Sequence, residues 1–383
     1  MDADPQKYVR LADQVSLCCL ETPCLYHRHK DELYELNQEG LEALLRCHGN
    51  LRLEEVGLTA DFQELCLEEG LLELYSDPRP RPLRLAASPQ PSLRYLEVQI
   101  TWRCNLSCGH CYLGKARSQD LALESFAGLV REFEDMGGLR LMISGGEPLL
   151  HPQWPRINAV LAAVKVRRVL LSNGLLLSRE QLADLNVEEV QISLDGLQSG
   201  HEKLRGKGTF APALQAARLV AEQGLDLSIA TMVHQGNLTQ FEELAELVQG
   251  LDAQEWGIDA PCITGRLSHN QQLAVDPDQA ARAMSFSFGG AYHGGSQGMA
   301  CGLHLGTVAP DGRVAQCGFY FDQPLGRIEA GLWTCWARRQ PLSLAAIPEC
   351  SKCPAAEDCG GGCRFRAPGP NQPDPVMCAF YKN

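Results

Sequence analysis

From residue 93 to residue 265 the chain alternates strand-like and helix-like segments with little interruption. Short apolar runs mark the predicted strands, and amphipathic stretches with helical periodicity separate them. Such alternation requires a parallel sheet with covering helices. Six units fit a partial, TIM-like (β/α)6 barrel better than a closed eight-fold one, with its site at the carboxyl ends of the strands. The predicted strands are 93–101, 139–145, 167–173, 188–195, 225–233 and 254–262.

The segments on either side of the barrel have different patterns. Residues 77–92 carry five prolines and no apolar periodicity, which predicts a stiff, extended connector. Residues 1–76 contain a predicted hairpin, two helices and a short strand, as in a small winged-helix-like α+β domain. Residues 266–383 are rich in Gly and Cys and poor in core-forming segments, so a domain there needs metal ions to hold it together.

Composition and charge narrow the functional class. The 383 residues are 45% hydrophobic and carry a net charge of −13 with no Lys/Arg run, so we expect no nucleic-acid partner. The N-terminus lacks an apolar signal core, and no apolar run approaches about 18 residues, which predicts a cytoplasmic protein without a membrane span. Seventeen cysteines in a reducing compartment point to metal ligation more than to disulfides.

Three cysteines in a C-x3-C-x2-C run directly follow the first predicted strand of the barrel: Cys104, Cys108 and Cys111. A cube-shaped [4Fe–4S] cluster normally takes four thiolates, so this loop leaves one iron atom without a protein ligand. The alternatives are a zinc site that borrows a fourth ligand, such as His110, and three cysteines that merely pack in the core.

This run resembles the cluster-binding loop of the radical S-adenosylmethionine (radical SAM) superfamily. The resemblance implies that the three cysteines hold the cluster and that its open iron binds the amino and carboxylate groups of SAM. One electron then cleaves SAM, and the resulting 5′-deoxyadenosyl radical takes a hydrogen atom from the substrate. The segment SGGEP (144–148) matches the superfamily segment that holds the SAM amino group through its backbone, at Gly145 and Gly146, and through Glu147.

The following strand ends supply SNG (172–174) and SLDG (193–196). In the peptide-modifying branch of the superfamily these places line the SAM pocket. The resemblance makes Ser172, Asn173 and Ser193 candidates for contacts with the ribose and the carboxylate of SAM. It also makes Arg205 the candidate partner of that carboxylate and puts His110 near the adenine. Each could instead be a helix cap, a turn residue or an ordinary packing residue.

The C-terminal cysteines follow a second pattern. Their spacing resembles the SPASM extension of radical SAM enzymes that mature peptides and proteins, where it binds two auxiliary iron–sulfur clusters. Taken alone, the spacing would also suit two zinc ribbons. The resemblance assigns to the outer cluster Cys350, Cys353, Cys359 and Cys378, and to the inner cluster Cys301, Cys317 and Cys363.

This assignment leaves the inner cluster one ligand short. Some relatives carry a further cysteine six residues before the first, where this chain has Gly295. Either Cys335 or Cys262 could fill this gap. We take Cys335 as the candidate replacement and expect Cys262 to be an inert buried thiol. Alternatively, a substrate thiolate could bind the open iron, as in a thioether-forming enzyme. Gly318 stands where sulfatase-maturing relatives carry an acidic residue, which argues against formylglycine formation.

The N-terminal domain resembles the small chaperone of pyrroloquinoline-quinone biosynthesis and related recognition elements for ribosomally made peptides. The resemblance rests on the hydrophobic pattern of residues 33–50 and 62–75. It implies that a leader peptide adds a strand to the domain's sheet and packs beside a helix. A structural cap or a DNA-binding winged helix is the alternative, and the acidity of the chain argues against DNA.

The sequence therefore predicts a three-part radical SAM/SPASM enzyme that binds the leader of a precursor peptide and modifies its core. A thioether or carbon–carbon crosslink is the favoured product, and flavodoxin or ferredoxin the expected electron donor. One alternative is a radical SAM oxidase of a small molecule or haem precursor. The other is an iron–sulfur or zinc protein that binds partners or carries electrons without cleaving SAM.

Overall fold

The computed structural model describes residues 4–290 and 296–382. Its N-terminal part is a small α+β unit with two sheets. One sheet has the strand order β5-β1-β6, and the other has the order β4-β3-β2-β7. The elements are β1 (Tyr8–Leu11), β2 (Val15–Cys19), β3 (Pro23–His27), β4 (Glu32–Glu35), α1 (Gln38–Leu45), β5 (His48–Arg52), α2 (Leu53–Val56), α3 (Ala60–Glu68), β6 (Leu72–Tyr75) and β7 (Leu85–Ala87).

The hairpin, the two helices and the short strand expected in this unit are present as β3–β4, α1, α3 and β6. The remaining strands are three to five residues long, too short for periodicity to reveal them. Strand β7 lies inside the predicted connector and pairs in parallel with β2, from Leu17↔Leu85 to Cys19↔Ala87. The connector is thus extended, as expected, but part of it belongs to the sheet.

The central unit alternates strands and helices as predicted. Its elements are β8 (Tyr95–Thr101), α4 (Leu123–Asp135), β9 (Arg140–Gly145), α5 (Trp154–Leu161), β10 (Arg167–Ser172), α6 (Arg179–Ala183), β11 (Glu189–Ser193), α7 (Gln198–Arg205), α8 (Phe210–Glu222), β12 (Asp226–Met232), α9 (Phe241–Gln249) and β13 (Glu255–Asp259). The six strands pair in parallel in their order along the chain. The predicted α/β partial barrel is confirmed.

Burial of apolar side chains explains why the helices cover the sheet. Helix α4 turns Phe126, Val130 and Phe133 inwards, and all three are fully buried with Val98 and Ile143 of the neighbouring strands. Spacing of four and three residues places the helical side chains on one face, which gives the helix its apolar stripe. The core therefore lies between the sheet and its helices, and it leaves the strand ends free for polar residues.

The C-terminal part extends the same sheet. Its elements are α10 (Pro277–Met284), β14 (Leu305–Val308), β15 (Arg313–Ala315), β16 (Gly326–Arg327), α11 (Leu332–Trp336), α12 (Ala356–Cys359) and α13 (Pro375–Lys382). Strand β14 pairs in parallel with β8, and β15 and β16 follow in antiparallel order. The sheet thus has nine strands, which the sequence did not predict. None of the helices in the described residues is long and apolar enough to cross a membrane.

The N-terminal unit packs against the amino ends of the barrel strands. Arg28 forms an ion pair with Glu188 at 3.1 Å, and Asp31 pairs with Arg140 at the start of β9. Arg167, the first residue of β10, donates to the backbone carbonyl of Arg28 at 3.2 Å. The turn between β3 and β4 is therefore fixed to the side of the barrel opposite the carboxyl ends of its strands.

Candidate active site

The three-cysteine loop begins where β8 ends. Main-chain hydrogen bonds fix the conformation of this loop. Gly109 N donates to Leu204 O at 2.8 Å, and Cys111 N donates to Cys108 O at 3.2 Å. Leu106 N also points at Cys104 Sγ, 3.4 Å away. Because the loop bonds to itself and to helix α7, its three thiols are presented together at the carboxyl edge of the sheet.

The thiols of this loop share one electrostatic environment. Burial, with smaller contributions from the neighbouring Cys108 thiol and Glu147 carboxylate, raises the pKa of Cys104 to about 11. Burial also raises the pKa of Cys108, while the charge of Arg205 opposes that rise. Thiolates in such a place need a positive partner, which a bound iron–sulfur cluster supplies.

Within residues 4–290 and 296–382, no group of three or more His, Cys, Asp or Glu side chains converges closely enough to hold one metal ion. A zinc ion needs its ligands within bonding distance of a single atom. A four-iron cube binds each thiolate through a different iron atom, so its ligands stand farther apart. The arrangement of the thiols is compatible with a cluster.

Two glycines allow the second strand's loop to lie directly on the three-cysteine loop. Gly146 N donates to Thr101 O and Glu147 N donates to Arg103 O, both at 2.8 Å. A Cβ atom on Gly145, whose φ is +145°, would lie 2.2 Å from Thr101 O, and one on Gly146 would lie 2.2 Å from Arg103 O. Only glycine fits at these two positions without moving the backbone.

Glu147 is a buried carboxylate with three donors. It accepts hydrogen bonds from Ser172 Oγ at 3.0 Å, from Asn173 N at 2.9 Å and from Leu149 N at 3.3 Å. Burial nevertheless dominates and raises the pKa of Glu147 to about 7. A carboxylate held this way is prepared to receive a positively charged group, since a cation would offset the cost of its burial.

The structure also places the other predicted pocket residues at this edge. Ser172, the last residue of β10, donates its hydroxyl to Glu147 at 3.0 Å. Asn173 Nδ2 donates to Asn105 Oδ1 of the three-cysteine loop at 2.8 Å. Ser193 is the last residue of β11. The end of β10 is thus linked to Glu147 through Ser172 and to the three-cysteine loop through Asn105.

Arg205 forms a buried ion pair that sequence reasoning missed. Its Nε donates to Asp195, which is fully buried and also accepts from Met232 N at 2.7 Å. Burial opposes ionisation of Asp195, but the charge and hydrogen bond of Arg205, together with the neighbouring imidazoles of His110 and His201, outweigh burial and lower the pKa of Asp195 to about 2. Asp195 belongs to the segment SLDG (193–196), in which only Ser193 is predicted to contact SAM.

His110 lies inside the three-cysteine loop with its ring buried. Burial lowers its pKa to about 4, so the imidazole is neutral at physiological pH. Its Nδ1 atom is buried and has no hydrogen-bond partner among the residues that the structure describes. Burial of a ring nitrogen without a hydrogen bond costs free energy, and a bound ligand that bonds to this nitrogen would remove the cost.

The four cysteines assigned to the outer cluster line one cavity of about 170 Å³, together with Met377 and Tyr381. The three assigned to the inner cluster line a second cavity of about 230 Å³, together with Tyr320 and Arg339. Both sets of thiols are thus gathered around a space, and burial raises the pKa of Cys317 to about 12 and that of Cys359 to about 11.

The structure contradicts the choice of Cys335 as a cluster ligand. Its Sγ donates to Arg327 O at 3.2 Å, and the residue packs in the barrel core beside Leu332 and Trp336. Cys262, which we expected to be inert, has its Sγ 3.8 Å from the Sγ of Cys363. Gly295 lies outside the described residues.

Residues 98–248 match the model of the radical SAM superfamily. They form a radical SAM domain, and the chain is an enzyme of this kind; the family implies SAM and a [4Fe–4S] cluster as cofactors. The residues present fit both groups. Three thiols stand on one loop, a glycine cradle leaves no room for a side chain, and a buried carboxylate and an unpaired imidazole nitrogen complete the site.

Known proteins resemble the chain over most of its length. It is 23% identical to Fe-coproporphyrin III synthase of Methanosarcina barkeri over 70% of this chain and 82% of that protein. It is 26% identical to PqqA peptide cyclase of Methylorubrum extorquens over 76% of this chain and 84% of that protein. The solved structure of Streptococcus suis SuiB bound to precursor peptide SuiA has the same fold, with a TM-score of 0.70 at 15% identity over 97% of this chain and 99% of that chain.

The raised pKa of Glu147 predicts that SAM binding depends on pH. Glu147 must be ionised to accept a hydrogen bond from the SAM amino group, and its ionised fraction falls about tenfold for each unit below pH 7. The amino group must itself lose a proton, with a pKa of about 8, before it can bind iron, so the two effects together should lower the affinity about 100-fold per unit. Equilibrium dialysis of SAM between pH 5.5 and 7.5 checks this. Glu147→Gln should bind weakly and keep only the amino group's dependence of about tenfold per unit, and parallel profiles for the two proteins would contradict the assignment.

Proposed function

We propose that the protein modifies a ribosomally made precursor peptide, binding the leader with its N-terminal domain and the core at the radical SAM site. The observation that carries this proposal is an open strand edge beside an apolar groove. Within the part of the chain that the structure describes, β4 pairs with β3 alone. The far edge of β4 therefore presents N–H and C=O groups to which a peptide strand can bond.

The groove lies between the end of β4 and helices α1 and α3, with a volume of about 480 Å³. Its apolar lining includes Leu36, Leu58, Phe62 and Leu65, and Leu65 is 43% exposed although it is a large apolar residue. Apolar side chains of an added strand could bury themselves here. Acidic residues at its rim, Glu35 and Glu39, favour a leader with basic residues next to its apolar anchors.

The comparisons support a peptide substrate. PqqA peptide cyclase is named for a peptide, and SuiB was solved with its precursor peptide. The likeness to SuiB covers nearly the whole chain, so it includes the N-terminal unit as well as the barrel and the C-terminal part.

When bound, the cluster supplies the electron that cleaves SAM and so yields the radical that takes a hydrogen atom from the peptide. The chain's own residues position the reactants. Cys104, Cys108 and Cys111 hold the cluster and leave one iron open. Glu147 receives the SAM amino group, and the remaining N–H groups of Arg205 suit a bidentate contact with the SAM carboxylate. Asp195 keeps that guanidinium in place.

The C-terminal cysteines would hold two auxiliary clusters, which we propose take up the electron left on the product. Cys350, Cys353, Cys359 and Cys378 form the outer set, and Cys301, Cys317 and Cys363 belong to the inner one. A thioether or carbon–carbon crosslink is the product we propose. A cytoplasmic location and a flavodoxin or ferredoxin donor suit sites that depend on reduced thiolates.

A second candidate is the oxidation of a haem precursor. The observation that favours it is the match to Fe-coproporphyrin III synthase, which extends over 82% of that protein. Formation of Fe-coproporphyrin III from a haem precursor therefore serves as the competing activity in the test of function.

Changing the groove should weaken peptide binding without touching the radical chemistry. The candidate substrate for this test is a peptide encoded by a short open reading frame beside the gene. Leu65→Glu puts a charge where an apolar anchor binds, so the Kd for this peptide should rise about 10- to 100-fold. Deoxyadenosine formation in the absence of peptide should not change. The matched control is Leu85→Glu, because Leu85 has a similar exposure of 37% and lies on β7 away from the groove.

Fluorescence anisotropy measures the Kd, and mass spectrometry measures the change in the peptide. Equal Kd values for both variants would place the leader elsewhere. If Fe-coproporphyrin III is formed from a haem precursor and the peptide keeps its mass, the protein is the haem-precursor enzyme instead.

A further inference from the structure

The inner set of cysteines lacks one thiolate for a fully protein-ligated cluster. Cys301, Cys317 and Cys363 share a cavity, and glycine stands at position 295, where some relatives have the remaining cysteine. Because Cys335 lies in the barrel core, it cannot complete the set. A different cysteine must do so, or the fourth iron stays open to substrate.

Cys262 is the cysteine that the fold brings to this place. It follows β13 by three residues, at the carboxyl edge of the barrel. Its Sγ is 3.8 Å from Cys363 Sγ, and the residue is buried. Cys262 does not itself line the cavity of the inner set, so its side chain must turn from Cys363 towards that space in order to bind iron.

Contacts with the surrounding backbone hold Cys262 and Cys363 close to each other. Arg366 Nη1 donates to Asp259 Oδ1 at 2.8 Å and to Ala260 O at 2.6 Å, which ties it to the segment before Cys262. The same guanidinium pairs with Asp374 at 2.7 Å. Asp374 in turn accepts from Cys363 N at 2.9 Å. One network of charged groups thus holds both cysteine backbones.

We infer that Cys262 is the fourth ligand of the inner auxiliary cluster. This inference rests on the auxiliary clusters of the proposed function and names the one ligand that the sequence left open. The barrel then supplies a thiolate to a cluster whose other ligands come from the C-terminal part. With four thiolates the inner cluster has no open iron, so it serves electron transfer and does not bind a substrate cysteine.

The same segment also contacts the three-cysteine loop. Arg266 N donates to Cys111 O at 3.0 Å, and a Cβ atom on Gly265 would lie 2.5 Å from that oxygen. The five consecutive residues 262–266 therefore connect the inner cluster site with the site of SAM cleavage.

The test compares Cys262→Ala with Cys335→Ala, which makes the same change in another buried cysteine. Both variants and the wild-type protein are reconstituted without oxygen. Iron analysis and EPR spectroscopy of the reduced proteins are the readouts. Wild type and Cys335→Ala should hold about twelve iron atoms per chain. Cys262→Ala should lose the inner cluster's EPR signal, or show it shifted, and should retain the signal that SAM perturbs.

The inference is overturned if Cys262→Ala has the iron content and EPR spectrum of the wild type. It is also overturned if thiol trapping and mass spectrometry find Cys262 and Cys363 joined as a disulfide in the reconstituted protein. If the protein binds no auxiliary clusters at all, the wild type should hold only about four iron atoms per chain. That result would remove both this inference and the auxiliary clusters from the proposed function.

Discussion

Cys108→Ala should abolish SAM cleavage and lower the iron content by about four atoms per chain. Cys108 is one of three thiols on the loop after β8, and two thiolates do not hold a four-iron cube. We expect deoxyadenosine formation to fall by at least about 1000-fold, which corresponds to about 4 kcal/mol in the barrier. Chromatography of anaerobic reactions with dithionite measures it.

A suitable control for this variant is Cys19→Ala, because Cys19 lies on β2 of the N-terminal unit, outside the three sets of cysteines. It should keep full iron content and turnover. Substantial turnover by Cys108→Ala would show that the loop is not the cluster site, whatever happens at the C-terminal cysteines.

Arg205→Met should destabilise the barrel by about 3–5 kcal/mol, because it leaves the buried carboxylate of Asp195 without its positive partner. The unfolding temperature, followed by near-ultraviolet circular dichroism, should drop accordingly. SAM binding should be lost as well, since the guanidinium is the proposed partner of the SAM carboxylate.

The double variant Asp195→Asn, Arg205→Met separates the two effects. Removing the buried charge should restore much of the stability but none of the SAM binding. Arg179→Met is the control for an ion pair as such, because Arg179 pairs with Glu222 on the surface and should contribute less than about 1 kcal/mol. If Arg205→Met were as stable as this control, the ion pair would have no structural role.

Periodicity was enough to predict the barrel, since each of its six strands is a short apolar run between amphipathic helices. The two sets of C-terminal cysteines came from the family resemblance and not from spacing, since Cys359 and Cys363 are only four residues apart and line different cavities. Long-range proximity was not predictable. Cys262 and Cys363 are separated by 101 positions and meet only because an ion-pair network joins β13 to the C-terminal part.

Asp195 shows a different limit. An aspartate in a turn is usually solvated, and nothing in a single sequence shows that this one is buried against an arginine ten residues later. The extension of the sheet by β14 to β16 escaped prediction for another reason. These strands are two to four residues long, too short to show a period, and they pair only because β8 offers an edge.

The docking of the β3–β4 turn on the amino ends of the barrel strands sets a minimum length for the substrate. A leader bound along β4 starts on one side of the barrel, whereas hydrogen abstraction takes place on the other. Strand β8 has seven residues and spans roughly 23 Å at about 3.3 Å per residue. An extended peptide needs at least about seven residues to cover that height. Positions nearer than this to the anchored leader should escape modification, however reactive their side chains are.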